Sequence, residues 1–185
     1  MIIWLNGAFG GGKTSTAAEL AGMLPGARQF DPEWVGYMLR ANLADQDFTD
    51  FQQLPPWRTL VPVVMAEVAR LTGQHLITVQ TVLVESYWRE LRAGLDAHSL
   101  EVFHVLLHAD PAVLAARIRT DQADPGACQW RLDHLEQFAA ARPWLEAAAD
   151  LAVDSTALSV AEAARMVADA ALPLMRLPAA PELAD

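Results

Sequence analysis

Residues 1–20, MIIWLNGAFGGGKTSTAAEL, join a short apolar run to a glycine-rich turn and then to a helical pattern. The unbroken apolar run Met1–Leu5 predicts a strand that is buried on both faces. The turn that follows, Gly7 to Thr14, matches the pattern G-x-x-x-x-G-K-[ST] of phosphate-binding loops. Because this turn lies between a predicted strand and a predicted helix, it has the structural context that phosphate binding requires. The stretch therefore predicts an α/β fold with a phosphate site at the end of the first strand.

The residue types in the loop each have a chemical task. Glycines allow backbone N–H groups to converge on phosphate oxygens, and the following helix directs the positive end of its dipole there. Lys13 supplies a positive charge for the β- and γ-phosphates, and the Thr14 hydroxyl is a ligand for Mg²⁺. The predicted nucleotide-binding residues of the loop are Gly7, Gly10, Gly11, Gly12, Lys13, Thr14 and Ser15.

Composition excludes several other classes of protein. The chain has 185 residues, of which 53% are hydrophobic, so it can bury a proper core. Its 13 basic and 23 acidic residues give a net charge of −10, which argues against a nucleic-acid binder with a broad basic face. Lys13 is the only lysine, and this excludes a GTPase that reads guanine with Asn-Lys-x-Asp and a protein kinase that needs a separate strand lysine.

Five predicted strands alternate with helices along the chain, which predicts a mostly parallel sheet covered on both faces in three layers. A β-branched run predicts the third strand over Leu76–Val84, and the sixth helix is expected over Gln129–Ala148 with a possible break at Pro143. The other strands are expected over residues 1–5, 27–30, 102–109 and 151–153, and the other helices over residues 13–24, 32–43, 57–71, 86–98, 111–121 and 160–172.

No linker divides the chain, so residues 1–178 are predicted to form one domain, with a candidate lid at 120–132 and a frayed tail at 179–185. Cys128 is the only cysteine, which excludes a disulfide framework and a cysteine-based zinc site. The first residues lack the pattern of a signal peptide, and no apolar run is long enough to cross a membrane. We therefore expect a cytoplasmic protein without stable membrane insertion; its oligomeric state is left open.

Asp31 follows the predicted second strand and lies on the same edge of the sheet as the phosphate loop. A carboxylate at this edge can accept a proton from an attacking hydroxyl or help to hold Mg²⁺. Asp31 also precedes Pro32 and Glu33, the arrangement of an ordinary helix N-cap. The catalytic and the capping interpretations are compatible.

Arginines beyond the loop are candidates for contacts with the nucleotide. Arg117, after the fourth strand, can stack on a base or bind phosphate, although a solvated helix face is an equal interpretation. For Arg119 the solvated face is favoured. Arg131 follows the Asp124-Pro125-Gly126 turn and could belong to a lid, but a surface role is favoured.

Residues on either side of the polar segment 44–56 are candidates for binding a second substrate. Arg40 and Arg58 flank this segment and could face an anionic group, and Trp57 could stack on a flat ring together with Trp34 and Tyr37. For each of these aromatic residues, core packing is the favoured alternative.

Few further residues qualify as metal ligands. The third strand ends at Gln80-Thr81 without the aspartate that many phosphate-loop enzymes carry there, so Asp31 or water would have to replace it, with Glu85 as a weaker candidate. His104 and His108 lie on a predicted strand and lack the helical frame of a zinc site.

The segments MIIWLNGAFGGGKTSTAAEL, FDPEWVGYMLR and DFQQLPPWR closely resemble the opening of the ATP-binding tunicamycin resistance protein family. The resemblance is dense over about the first 60 residues and then thins to spacing and scattered identities. It implies a nucleoside-monophosphate-kinase-like phosphate-loop fold, similar to shikimate, gluconate and chloramphenicol kinases. It further implies an ATP site at Gly7–Thr14 and a substrate-binding helical insert across residues 31–72.

Two shorter segments are similar to adenylate kinases. Residues 36–40, GYMLR, resemble their Gly-Asp-Met-Leu-Arg segment, whose arginine holds the phosphate of the acceptor, and Tyr37 replaces the acid here. Arg117 occupies the place of their adenine-stacking arginine. Their next lid arginine is Asp121 in this chain. Longer family members carry a basic C-terminal extension suited to membrane contact, whereas the tail of this sequence is short, acidic and interrupted by prolines, so membrane contact is not expected.

These observations together favour a Mg²⁺- and ATP-dependent small-molecule phosphotransferase that confers antibiotic resistance. In this hypothesis Lys13 and Arg117 hold ATP, and Asp31 activates a hydroxyl of a uridine-containing antibiotic bound by Asp31, Arg40, Trp57 and Arg58. One alternative is a non-catalytic protein that sequesters the drug in an ATP-dependent manner. Another is a metabolic nucleoside or nucleotide kinase.

Overall fold

The computed structural model describes residues 1–122 and 125–175, which form seven α-helices around one five-stranded sheet. Part of the candidate lid (123–124) and the whole predicted tail (179–185) lie outside the described residues. The strands are β1 (Ile2–Gly7), β2 (Ala27–Phe30), β3 (His75–Val79), β4 (Val102–His108) and β5 (Leu151–Asp154). The helices are α1 (Lys13–Met23), α2 (Glu33–Asn42), α3 (Pro55–Thr72), α4 (Glu85–Ala97), α5 (Pro111–Thr120), α6 (Cys128–Ala148) and α7 (Val160–Ala171).

The sheet is parallel throughout, with strand order β2-β3-β1-β4-β5. The central strand β1 pairs with both β3 and β4, so that Ile2 lies beside Leu76 on one side and Val102 on the other. The strand order reverses at β1, and crevices for ligands form at the carboxyl ends of the strands at such a point. The phosphate loop leaves β1 at this place.

Side chains of β1 alternate between two buried layers, as the unbroken apolar run predicts. Ile3 and Leu5 pack against α1 and α7, while Ile2 and Trp4 pack against residues of α2, α3 and α4 on the opposite face. All four side chains are fully buried. A smaller apolar cluster between β4, α5 and α6 includes Leu106, Leu114 and Phe138. The three-layer architecture expected from the sequence is confirmed.

The third strand is shorter than predicted, because β3 ends at Val79 rather than Val84. The carboxamide of Asn6 accepts a hydrogen bond from the backbone N–H of Val82 at 3.0 Å and donates one to its carbonyl at 3.1 Å. Side-chain pairing to Asn6 thus replaces the backbone pairing of a strand, and the chain leaves the sheet here. Val82, in the run that predicted the longer strand, is fully buried although it does not pair in the sheet.

Helix α6 continues through Pro143 without the predicted break. Within the described part of the chain, no helix combines the length and the apolar character that crossing a membrane would require.

Candidate functional site

A cavity of about 1320 Å³ opens at the carboxyl edge of the sheet. The phosphate loop and the start of α1 form one wall, and residues of α2 with residues 49–53 form another. Residues of the β3–α4 connection, the end of α5, the start of α6, the β5–α7 connection and the start of α7 also line it. A second cavity of about 600 Å³ lies between β2, α2 and the end of α3, and both cavities are lined by Thr14, Glu33 and Val79.

The loop glycines are required by backbone geometry. Gly7, Gly10 and Gly12 have φ angles of 134°, 75° and 84°, a region that residues with a side chain rarely adopt. A Cβ atom on Gly7 would lie 1.9 Å from the carbonyl oxygen of Leu107, and one on Gly10 would lie 2.8 Å from that of Leu114. The loop is therefore held against β4 and α5 at distances that only glycine permits.

The ammonium group of Lys13 lies inside the phosphate loop. Its Nζ donates hydrogen bonds to the carbonyl oxygens of Gly7 at 3.0 Å and Ala8 at 2.8 Å, and it lies 5.4 Å from the centre of the Phe9 ring. The side chain is only 8% exposed. Burial, with a smaller contribution from the positive charge of Arg131, lowers the pKa of Lys13 from 10.5 to about 7. An anion bound in the loop would offset the unfavourable burial of the charged form of Lys13.

Three hydroxyl side chains, those of Thr14, Ser15 and Thr81, lie near the phosphate loop and line the larger cavity. Thr14 and Ser15, at the start of α1, both line the larger cavity. Thr81, which follows Gln80 after the end of β3, donates its hydroxyl to the carbonyl of Gly7 at 3.0 Å. Thr81 thus braces the loop just after β3, where the sequence carries no acidic residue.

Arg117 bridges the phosphate loop and the chain after β5. Its guanidinium donates to the Ser155 carbonyl at 2.8 Å and hydroxyl at 3.1 Å, and it reaches the Gly10 carbonyl at 3.5 Å. The residue also lines the larger cavity. Arg119, in contrast, is exposed at the surface of α5.

Asp31 caps α2 rather than lining the larger cavity. Its Oδ1 accepts a hydrogen bond from the backbone N–H of Glu33 at 2.9 Å, which is the capping geometry that the sequence predicts. The residue lines the second cavity together with Thr14. The carboxylate predicted to act on a substrate thus lies beside the main cavity.

Glu33 is an acidic residue of the larger cavity that sequence reasoning did not single out. Its Oε2 accepts a hydrogen bond from the hydroxyl of Tyr37, one helical turn later, at 3.3 Å. Partial desolvation raises the pKa of Glu33, and the negative charges of Asp31 and Asp50 add to this effect. The sequence Asp31-Pro32-Glu33 could have indicated this residue, because it places two acidic side chains within one helical turn.

Arg40 lies on the same wall, among aromatic rings. Its guanidinium carbon is 4.6 Å from the centre of the Phe51 ring and 5.4 Å from that of Phe48. The Tyr37 ring contacts Phe51 edge-to-face at 5.2 Å. Within residues 1–122 and 125–175 no carboxylate forms an ion pair with Arg40. In the part of the chain that the structure describes, its guanidinium contacts aromatic rings rather than a carboxylate.

Trp57 and Arg58 do not line the cavity. Trp57 is completely buried, and its indole N–H donates to the carbonyl of Pro32 at 3.1 Å, so its position follows the core-packing alternative. Arg58 donates to the Gln52 carbonyl and forms a 2.6 Å ion pair with Glu90 behind the cavity wall. Its guanidinium lies 4.2 Å from the centre of the Tyr87 ring. Both residues support side chains of the wall rather than facing the cavity.

Arg131 lines the cavity, whereas the sequence favoured a surface position. Its Nη1 lies 2.6 Å from a carboxylate oxygen of Asp121. The start of α6 is held over the loop by an aromatic cluster, in which Trp130 lies 5.0 Å from Phe9 and 4.0 Å from His134 between ring centres. An arginine from α6 thus lies near the loop, although the lid position after α5 carries an acid.

The described residues hold no group of three or more histidine, cysteine, aspartate or glutamate side chains that could bind a metal ion by themselves. His104 is buried in the core, where Nδ1 pairs with the Ala148 carbonyl at 3.0 Å and the ring lies 4.1 Å from that of Trp88. A divalent ion at this site would depend on Thr14 and on the oxygens of a bound nucleotide.

Comparisons with known proteins agree with this geometry. Residues 2–143 match the family model described as an AAA domain. The structure is similar to that of the tunicamycin resistance protein from Deinococcus radiodurans, with a TM-score of 0.68 and 31% sequence identity. That alignment covers 97% of this chain and 98% of the other. No curated protein matches the chain with significance.

More distant structures share the fold. A gluconokinase from Sinorhizobium meliloti aligns with a TM-score of 0.65 and 21% identity over 93% of this chain and 91% of its own. Shikimate kinase from Acinetobacter baumannii aligns with a TM-score of 0.58 and 17% identity over 94% and 93% of the two chains.

Proposed function

The chain belongs to the AAA domain family and to the family of the Deinococcus radiodurans tunicamycin resistance protein, and from this premise we propose that it is a Mg²⁺- and ATP-dependent phosphotransferase. Its acceptor is a hydroxyl of a small molecule, and the candidate acceptor is a uridine-containing antibiotic such as tunicamycin. The coarser conclusion, a nucleotide-binding protein with a kinase-like fold, follows from the family and the fold alone.

One observation carries this proposal. The phosphate loop and the wall formed by α2 and residues 49–53 face the same cavity, so that a nucleotide and a second molecule can meet there. The cavity of about 1320 Å³ exceeds the size of most small-molecule sites, which are about 300–1,000 Å³, and thus has room for two ligands. The wall formed by α2 and residues 49–53 offers Glu33, Arg40 and aromatic rings for recognising the acceptor.

The chemistry of the donor set fits ATP with Mg²⁺. The loop glycines would present backbone N–H groups to phosphate oxygens, Lys13 and Arg117 would supply positive charge, and Thr14 would offer its hydroxyl to the ion. Bound Mg²⁺ neutralises charge on the transferred phosphoryl group. Because phosphoryl transfer needs mainly positioning and charge stabilisation, this set is sufficient for the nucleotide side of the reaction.

Nucleotide binding at alkaline pH is expected to take up a proton. The pKa of Lys13 is about 7 in the free protein, and a phosphate anion beside the ammonium group raises it. At pH 8 free Lys13 is therefore mostly neutral and bound Lys13 is charged. Calorimetry in buffers of different ionisation enthalpy should detect an uptake approaching one proton, with affinity falling up to about tenfold for each pH unit above 7. Binding at pH 8 without proton uptake would contradict this assignment.

The phosphotransferase itself is tested by incubating the protein with Mg²⁺, ATP and tunicamycin and following the drug by mass spectrometry. We expect a product heavier by one phosphoryl group, with ADP formed in equal amount. ATP-dependent binding of the drug without a product would instead favour a sequestering protein. ADP release with uridine but not with tunicamycin would favour a metabolic nucleoside kinase.

A further inference from the structure

The turn at residues 50–53 contributes one nearly buried polar side chain to the lining of the larger cavity, that of Gln52. We propose that the side-chain carbonyl of Gln52 recognises the pyrimidine base of the acceptor by accepting a hydrogen bond from the N3–H of its uracil ring. This inference rests on the proposed function, in which the acceptor contains uridine, and it names the residue that selects the base. Gln52 determines specificity in this role and does not touch the reacting atoms.

The carboxamide of Gln52 is held in one orientation by the groups around its nitrogen. Nε2 donates to the backbone carbonyl of Thr81 at 2.9 Å and to Oδ2 of Asp50 at 3.4 Å. Both partners are hydrogen-bond acceptors, so turning the carboxamide over would place Oε1 against two oxygens. The nitrogen is therefore engaged by the protein, and Oε1 is the atom of the carboxamide that a ligand can use.

Oε1 of Gln52 is open to the larger cavity. Among residues 1–122 and 125–175, no group donates a hydrogen bond to this oxygen. The buried side-chain atoms of the described chain that lack a partner are Oγ1 of Thr78 and Nε2 of His104, so Oε1 of Gln52 is an atom that solvent reaches. Because the residue is only 8% exposed and lines the cavity, a bound molecule meets the oxygen there.

The backbone of Gln52 is held as firmly as its side chain. Its N–H donates to Oδ1 of Asp50 at 2.8 Å, and its carbonyl accepts from the guanidinium of Arg58, which forms an ion pair with Glu90. Asp50 and Gln53 close the turn as a capping box. A hydrogen-bond acceptor that is already ordered loses little conformational entropy when a ligand binds, and this favours discrimination between similar ligands.

Uracil has the hydrogen-bonding edge that fits this wall. A carbonyl oxygen such as Oε1 of Gln52 accepts and cannot donate, so it selects a ligand group that carries a proton. The N3–H of uracil is such a group, and it lies between two carbonyl oxygens of the ring. Arg40 lines the same cavity and stacks on the ring of Phe51 at 4.6 Å, and its guanidinium can donate to one of these carbonyls. Cytosine has a lone pair at N3, which would face the lone pairs of Oε1.

The test compares tunicamycin with a derivative methylated at N3 of its uracil ring. Dissociation constants are measured by calorimetry with saturating Mg²⁺ and a non-hydrolysable ATP analogue, so that the result does not depend on turnover. For wild-type protein we expect the derivative to bind at least about tenfold more weakly, because Oε1 loses its donor and meets the methyl group.

Gln52→Ala removes the acceptor and leaves room for the methyl group. Tunicamycin should bind this variant about tenfold more weakly than wild type, and the two ligands should then differ by less than about twofold. Losing the donation to Thr81 weakens both ligands alike, so the ratio of their dissociation constants reports the contact with the base. Gln52→Asn, in which the carboxamide is shorter by one methylene, has the same expected ratio and replaces the alanine variant if that variant unfolds.

Gln53→Ala is the matched control. Gln53 belongs to the same turn and also lines the cavity, but its Oε1 already accepts from the backbone N–H groups of Thr49 at 3.1 Å and Asp50 at 3.4 Å. The substitution loosens the turn without removing an open acceptor. Both ligands should therefore weaken alike, and the wild-type discrimination should persist. Thermal melts show whether each variant is folded at the temperature of the titration.

The outcomes distinguish the contact with the base from the proposed function. Equal binding of tunicamycin and its methylated derivative to wild-type protein would overturn the role of Gln52, as would discrimination that persists in Gln52→Ala. If discrimination is lost in Gln52→Ala while mass spectrometry finds no phosphorylated drug, the phosphotransferase is overturned and the contact with the base stands. If tunicamycin does not bind to wild-type protein, both are overturned.

Discussion

Replacing Lys13 with methionine is expected to weaken nucleotide binding about 100-fold or more while making the free protein more stable. The loss of affinity follows from the removal of the buried ammonium group, the only lysine of the chain, from the phosphate loop. Calorimetric titration with Mg²⁺ and ATP measures it. Arg119→Met, which removes an exposed cation from α5, should leave the affinity unchanged.

The gain in stability follows from the lowered pKa of Lys13. Burying the charged form is unfavourable in the fold, at about 1.4 kcal/mol for each unit by which the pKa is lowered. Methionine removes this cost, and the carbonyls that lose the ammonium keep other donors, because Thr81 donates to Gly7 and the N–H of Gly11 donates to Ala8.

The effect of Lys13 on the stability of the fold changes with pH. Between pH 7 and pH 10.5 the unfolded chain binds more protons at Lys13 than the folded chain does, so wild-type stability rises with pH in this range. The advantage of methionine is therefore largest below pH 7 and shrinks as the pH rises. Thermal melts at pH 6.5 and pH 9 measure this difference, and a lower melting temperature of Lys13→Met at pH 6.5 would contradict it.

Replacing Gly7 with alanine is expected to be the most damaging single substitution in the phosphate loop. The new Cβ would lie 1.9 Å from the Leu107 carbonyl oxygen, and the φ angle of 134° is strained for alanine. Because β1 and β4 pair at this point, neither backbone can move without disturbing the sheet. We expect a loss on the order of 3 kcal/mol in the free energy of unfolding, or about 10 °C in melting temperature.

Gly22→Ala is the matched control for this substitution. Gly22 lies in α1, and a Cβ atom there would meet nothing within 4 Å. Alanine should stabilise the protein by roughly 0.5–1 kcal/mol, because it has the higher helix propensity. Urea unfolding followed by circular dichroism measures the free energy of unfolding of the two variants, and thermal melts measure their melting temperatures. A melting temperature of Gly7→Ala near that of wild type would contradict the close approach of β1 and β4.

Most of the fold could be predicted because its signals are local. The second strand has the predicted bounds Ala27–Phe30, and the capping box of Ser159 and Glu162 opens α7 where the sequence predicts a helix start. The end of β3 could not be predicted, since it depends on Asn6, which lies 76 residues from Val82 in the sequence. A local pattern contains no information about such a partner.

The candidate site also has a part that the sequence predicts and a part that depends on packing between distant elements. The phosphate loop could be identified from residue types and spacing, because its chemistry is performed by consecutive residues. Whether an arginine or a tryptophan in α3 faces the cavity depends on the rotation of that helix against α2 and α4. In the structure, Trp57 and Arg58 point away from the cavity into the packed interior. The sequence likewise does not show that Asp31 lies outside the lining of the larger cavity, where its carboxylate accepts the backbone N–H of Glu33.

The central position of β1 in the sheet has a consequence for how the protein reaches its native state. Both neighbours of β1 are distant along the chain, since Ile2 pairs with Leu76 and Val102. Closing such long loops costs chain entropy and slows folding relative to local contacts. The phosphate loop is anchored at the end of β1 and contacts Leu107 of β4, so it cannot acquire its shape until the first 107 residues have assembled. Emergence of β1 and the phosphate loop from the ribosome is therefore not sufficient for nucleotide binding, which requires that β4 has also been synthesised.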